Sequence, residues 1–208
     1  MGQMRVRKYL QTFVLAVLAG IAIGIGGIGY LSLENKVAGA LLFTVGLYTI
    51  CAHGLNLFTG KVGYLVQQEL SVLPGYLMDL AVIWAGNLAG TFFTAYAVLE
   101  TRICGISQAA EALCTTKTQD SFQSLFLLAL FCGFLMFAAV DGYKTTKHPA
   151  VLFTGVAAFI LCGFEHCVAD MFYFSIAGAW SAHSLLCMLV ITAGNAAGGM
   201  LIPLCKKI

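Results

Sequence analysis

The 208-residue chain is 60% hydrophobic and only 10% charged, with a mean hydropathy of +0.91. A soluble domain carries about 25% charged residues, so the composition excludes an ordinary water-soluble fold and indicates an all-α polytopic membrane protein. The formal net charge of +2 is too small to suggest a nucleic-acid partner.

Six apolar segments follow one another, at about 9–33, 37–66, 73–99, 122–140, 149–176 and 182–204. Arg5, Arg7 and Lys8 precede the first, which is long enough to span and ends without a small-residue cleavage site, so it is not a signal peptide. Its AGIAIGIGGIG run at 19–29 permits close helix approach. The second segment runs for 30 residues, about 45 Å as one straight helix, where a hydrocarbon core needs about 30 Å. It contains AHGLN, whose Gly54 and Asn56 suit a helix interior poorly. Two half-helices joined by a loop near 52–57 are expected. The third segment carries GNLAG at 86–90. A polar loop with Cys104, Cys114 and Lys117 leads to the fourth, which contains Gly133. A disulfide between those two cysteines requires that the loop face an oxidising space; two free thiols are the alternative. The fifth segment has its own interruption at Cys162–His166 and places Glu165, His166 and Asp170 at membrane depth. Ionisable groups there face a protein interior or a water-filled cavity. The sixth carries GNAAG at 194–198. The cysteines within the spans read as small hydrophobes, and without a CxxC pair no metal site or cofactor is expected.

Six spans put both termini on one side. That side collects Arg5, Arg7, Lys8, Lys61, Lys144, Lys147, Lys206 and Lys207; the other has Lys36, Arg102 and Lys117. The positive-inside rule therefore places both termini in the cytoplasm, even with Lys61 left out as a residue within a span. GNLAG returns as GNAAG at an offset of 108, and the interrupted second segment is matched by the interrupted fifth. With three spans per half, about 9–99 and 122–204, the halves form an inverted three-plus-three repeat within one transmembrane domain, 1–208, of aquaporin-like plan. Two broken helices then meet near the midplane and form a permeation site.

A half-helix that starts at a break presents unpaired N–H groups and a partial positive charge, which favour anions. His166 adds a group able to donate a hydrogen bond or a proton, and a desolvated imidazole rests neutral. The Thr59 hydroxyl, at the other break, is placed to fix which ring nitrogen carries the proton. The anion of a weak acid would enter there and cross the apolar part as a nearly neutral species; formate, nitrite and hydrosulfide fit this chemistry. Glu165 is expected to hold its break by accepting from backbone N–H groups, with Asn56 structural at the other. Asn87 and Asn195 are expected to knit helices together.

LFTG (57–60), GNLAG (86–90), GFEHCVADMF (163–172) and GNAAGG (194–199) together resemble the signature segments of the formate/nitrite transporter family, in matching order along nearly the whole chain. The resemblance implies a homopentamer in a prokaryotic-type inner or plasma membrane, each protomer with its own pore. Members conduct formate, nitrite, hydrosulfide or related small monovalent anions, as channels or with proton coupling. It places the central histidine at His166 and the threonine of the broken second span at Thr59. It puts one hydrophobic constriction at Phe43 and Leu47, another at Phe159, and the lysine of the outer vestibule at Lys117. Two positions depart from the family pattern. Gly133 stands where many members have an asparagine near the histidine, and Asp170 stands where GFEH-x-x-x-N has its asparagine. With eight residues before the first span, no N-terminal gating arm is expected.

Two other classes compete. A pore for another small solute, such as lactate, acetate or ammonium, would use a similar repeat; a cation path would call for acidic residues, whereas Lys117 stands at the predicted outer mouth. A membrane redox or metal enzyme would need Cys162, His166, Cys167 and His53 as ligands, with no soluble cofactor loop to support them.

Overall fold

The computed structural model describes residues 2–207; Met1 and Ile208, the ends of the expected 1–208 domain, lie outside the described residues. The elements are α1 (Gly2–Leu31), α2 (Lys36–His53), α3 (Phe58–Lys61), a 3-10 segment (Val62–Gln67), α4 (Leu73–Leu99), α5 (Ile106–Gln119), α6 (Phe122–Thr146), α7 (Ala150–Leu161), α8 (Cys167–Ile176) and α9 (Ala182–Cys205). Five of them, α1, α2, α4, α6 and α9, are long and apolar enough to cross a membrane. At 12 and 10 residues, α7 and α8 are each shorter than a bilayer core, at roughly 18 and 15 Å.

Local chemistry sets the boundaries. The Asn35 side chain accepts from the N–H groups of Val37 and Ala38 and starts α2. That helix stops at Gly54, whose φ of 65° is a left-handed cap, and the chain resumes as helix only at Phe58. Gly163, at φ 69°, does the same between α7 and α8. Ser121 caps α6, and Ser181 with Ser184 forms a capping box on α9.

Two helix pairs frame the molecule: α1 lies along α4, and α6 along α9. Both contacts rest on glycine. The place of a Cβ on Gly20 is occupied by the Asn87 carbonyl, and that of Gly133 by the Asn195 carbonyl. Gly86 abuts Ala16 just as Gly194 abuts Ala129, and Gly90 and Gly198 lie against the carbonyls of Val17 and Leu130. Between the pairs runs α8, every residue of which is buried, in contact with α1, α4, α5 and α9. A helix apolar on nearly all sides has to be enclosed in this way. The outer surface is apolar too, with Leu10, Leu18, Ile25, Leu42, Phe93, Leu127, Phe131, Leu186 and Leu189 exposed. A surface of this kind faces lipid or a neighbouring subunit.

One helix was not expected. The polar loop after the third segment contains α5, which is amphipathic rather than apolar. It turns Ala110, Cys114 and Lys117 inward, at spacings of four and three residues, and leaves its other face exposed. Cys104 and Cys114 are both free thiols, Cys104 exposed and Cys114 buried.

Candidate functional site

The chain between α2 and α3 and the chain between α7 and α8 come together in the interior, and each is fastened by an asparagine. Asn87 donates from Nδ2 to the carbonyls of Ala16 (2.8 Å) and Asn56 (2.9 Å), and its Oδ1 accepts from the N–H of Phe58 (2.9 Å). Asn195 donates to the carbonyls of Ala129 and Glu165 and accepts from the N–H of Cys167, all at 2.8 Å. Both side chains are fully buried, and each satisfies two main-chain groups that the interruption would otherwise strand, while its third bond ties it to a carbonyl within α1 or α6. These bonds correct two expectations. The first N–H of each new helix is already taken, so the helix starts are not bare anion sockets. The break at 162–166 is held by Asn195 rather than by the Glu165 side chain, whose main-chain carbonyl is the bonded group. At the other interruption the Asn56 carbonyl accepts from Asn87, and its Nδ2 donates to the Thr12 carbonyl at 3.3 Å.

Where the two interruptions meet, His166 Nε2 lies 2.9 Å from Thr59 Oγ1. Both residues are buried, at 1% and 0% exposure. The ring orientation follows from its other nitrogen: His166 caps α8, and Nδ1 accepts the N–H of Ala169 at 3.1 Å. A neutral imidazole bonded in this way carries its hydrogen on Nε2 and gives it to Thr59. The threonine hydroxyl then has its own hydrogen left to donate.

Apolar side chains close around this pair. The rings of Phe43 and Phe159 meet edge to face, with centroids 5.9 Å apart, and Phe159 lies 5.5 Å from the His166 ring. Leu47 and Leu57 are buried alongside. Phe43 and Phe159 were expected in separate constrictions; in the fold they touch and form one barrier, because α2 and α7 pack against each other. Beyond it lies a cavity of about 170 Å³, whose lining includes Tyr30, Lys117, Phe164, His166, Asp170 and Tyr173. A second, of about 70 Å³, is bounded by Ile50, Leu55, Leu57, Val140, Lys61 and Lys144. Leu57, which borders this cavity two residues before Thr59, was missed as a candidate. Its place in LFTG, directly after the interruption, was the available signal.

Lys117 is not the free cation expected at an outer mouth. It is buried, and its Nζ is shared by Glu165 and by Asp170 Oδ1, the latter at 2.9 Å. Burial works against its charge, but the two carboxylates outweigh that and raise its pKa above the ordinary lysine value. Gly133 is not brought to the cavity around His166. It lies in the α6–α9 contact against the Asn195 carbonyl, where no larger side chain fits, so the missing amide there is a matter of packing. Its counterpart is Gly20 in α1, at an offset of 113 that the 108-residue motif repeat does not reveal.

Two cavities separated by an apolar barrier, inside a bundle with an apolar exterior, suit a multi-pass membrane channel or transporter. Residues 2–206 match the formate/nitrite transporter family, and the chain belongs to that family. It is 26% identical to a probable formate transporter of Methanothermobacter thermautotrophicus, over 94% of this chain and 86% of the relative. It is 24% identical to the formate channel FocB of Escherichia coli, over 80% of this chain and 66% of that one. A solved pentameric formate channel with formate bound superposes at a TM-score of 0.85 with 25% identity, over 97% of this chain and 96% of that chain.

Proposed function

We propose that this protein conducts small monovalent anions of weak acids, formate, nitrite or hydrosulfide, with protons as the coupled species, through a pathway of its own in each protomer of a homopentamer. The reading takes the chain as one transmembrane domain of six spans in an inverted three-plus-three repeat, the second and fifth broken at 54–57 and 162–166. Both termini are then cytoplasmic, in an inner or plasma membrane surrounded by lipid. The recurrence of three equivalent bonds around Asn87 and Asn195 supports the repeat. The pentamer rests on the likeness to the solved pentameric channel.

The observation that carries the reading is the bond between His166 and Thr59, inside an apolar seal between two cavities. An anion that reaches the seal loses its water. The Thr59 hydroxyl, held by the histidine hydrogen, offers it a donor without a fixed charge. A fixed positive charge would hold the anion; a neutral donor pair lets it accept a hydrogen bond or a proton, pass Phe43, Leu47 and Phe159, and leave. Lys61 and Lys144 at the smaller cavity attract anions to that end.

Flux of formate, nitrite and hydrosulfide into proteoliposomes, from about pH 5 to pH 8, where histidine titrates, tests this. Fast flux of at least one anion that falls sharply in His166→Asn is expected. Folded, pentameric protein that passes none of the three would refute the anion reading.

A further inference from the structure

The charges around Lys117 do not balance. One ammonium serves two carboxylates, and the side chains of Lys117, Glu165 and Asp170 are only 10%, 7% and 2% exposed. If all three are ionised, the cluster holds a buried net negative charge on the wall of the cavity from which an anion would reach His166. An unpaired carboxylate is among the most expensive groups to keep away from water. The geometry also shows where the imbalance lies. Asp170 Oδ1 meets Lys117, but Asp170 Oδ2 is buried with no hydrogen-bond partner. As a bare carboxylate oxygen it is an acceptor with nothing to accept from. A hydrogen on it would remove the excess charge and leave Lys117 with one carboxylate, that of Glu165.

The remaining groups around Asp170 do not relieve the imbalance. Cys114 on α5, Tyr30 on α1 and Cys132 on α6 are thiols and a phenol, neutral near pH 7. On its own segment, Cys167 and Tyr173 are neutral for the same reason, and His166 uses Nδ1 as an acceptor. On α9 the one ionisable ring, His183, is turned to the Thr118 carbonyl, and on α4 Asp79 is paired with Lys8. Glu165 is the less deeply buried of the two and Asp170 is the one with a bare oxygen, so Glu165 is the carboxylate and Asp170 the acid.

We propose that Asp170 is the proton-carrying residue of this vestibule. With its proton, the Lys117 cluster is neutral and admits anions. When the proton leaves, the cluster becomes negative and repels them. Proton binding and anion admission are then linked at a residue other than His166. The gating half of this inference rests on the anion reading above; the proton site does not.

Infrared spectra of the reconstituted protein across pH, together with formate flux, separate the two. Unmutated protein should show the carbonyl stretch of a buried protonated carboxylic acid. That band should shift when aspartate is isotopically labelled at its carboxyl carbon, and fade as pH rises. It should be absent from Asp170→Asn, and in Glu165→Gln, where Asp170 becomes the only carboxylate on Lys117, it should fade at a lower pH than in the wild type. The ratio of wild-type to Asp170→Asn formate flux should be near one at low pH, then fall by up to about tenfold per pH unit beyond the fading point. A band that ignores the aspartate label, persists in Asp170→Asn or fades at the wild-type pH in Glu165→Gln would overturn the assignment, and a flux ratio constant with pH would overturn the gating. The labelled wild type keeps the test open should a variant fail to fold. A titrating aspartate band in a protein that passes no anion would support the proton site and refute the anion reading alone.

Discussion

Replacing Asn195 by alanine should be among the most destabilising single changes in this protein. The carboxamide satisfies three buried main-chain groups: the carbonyls of Ala129 and Glu165 and the N–H of Cys167. The Glu165 carbonyl and the Cys167 N–H would be left without a partner at about 1–3 kcal/mol each, and the Ala129 carbonyl, which keeps its bond within α6, would lose about 0.5–1.5 kcal/mol, so the total reaches about 2.5–7.5 kcal/mol. Water entering the vacated space would recover part of this and bring the expectation toward about 3–5 kcal/mol. Asn87→Ala strips the equivalent carbonyls of Ala16 and Asn56 and the N–H of Phe58, and should lose the same amount within about 1 kcal/mol, the normal spread for such bonds. Asn56→Ala is the internal control. It removes one longer side-chain bond, 3.3 Å to the Thr12 carbonyl in a half-buried setting, and should lose about 0.5–1.5 kcal/mol. Unfolding in mixed detergent micelles, followed by circular dichroism and referenced to wild type, gives the comparison. Equal losses for Asn56→Ala and Asn195→Ala would refute the reasoning. So would a difference of more than about 2 kcal/mol between Asn87→Ala and Asn195→Ala, because the same three bonds should have the same worth.

Gly133→Ala and Gly20→Ala each drive a methyl into an asparagine carbonyl and should destabilise by about 1–3 kcal/mol in the same assay. Gly75→Ala, where the space is open, should change little, and equal effects at all three sites would contradict the packing described. Thr59→Ser keeps the hydroxyl that meets His166 and should preserve anion flux, whereas Thr59→Val should lower it at least about tenfold, the equivalent of 1.4 kcal/mol. Stopped-flow flux distinguishes the two, and a fully active valine variant would remove the hydroxyl from the mechanism. Maleimide should modify the exposed Cys104 well before the buried Cys114. Burial pushes the Cys114 thiol up to about 12. A raised pKa keeps the unreactive thiol form below that pH, so Cys114 should stay unlabelled up to about pH 9, as peptide mass spectrometry would show. Early labelling at Cys114 would mean that α5 does not pack as described.

Much of the architecture follows from local properties and was legible in the sequence. The third segment, 73–99, coincides with α4, because a long apolar run bounded by polar residues has one way to satisfy its backbone in a bilayer. The interruptions near Gly54 and Gly163 announced themselves as apolar runs too long for one span with glycine at the misfit. His166 and Thr59 stood out because ionisable and hydroxyl groups at such interruptions are rarely idle. What the sequence alone did not determine was partnership. α5 escaped notice because a helix with one apolar face lacks the hydropathy of a span. Lys117 read as a polar-loop residue at the outer mouth, and only the packing of α5 on α8 buries it between Glu165 and Asp170. Gly133 read as a lost amide until α6 lay on α9 and Asn195 filled the space. Phe43 and Phe159 became one barrier once α2 met α7. Span length and helix interruption depend on a few consecutive residues. The partner of a buried polar group depends on helices distant in the chain, 48 residues apart for Lys117 and Glu165 and 107 for Thr59 and His166, and close packing leaves each such group a single place to find it.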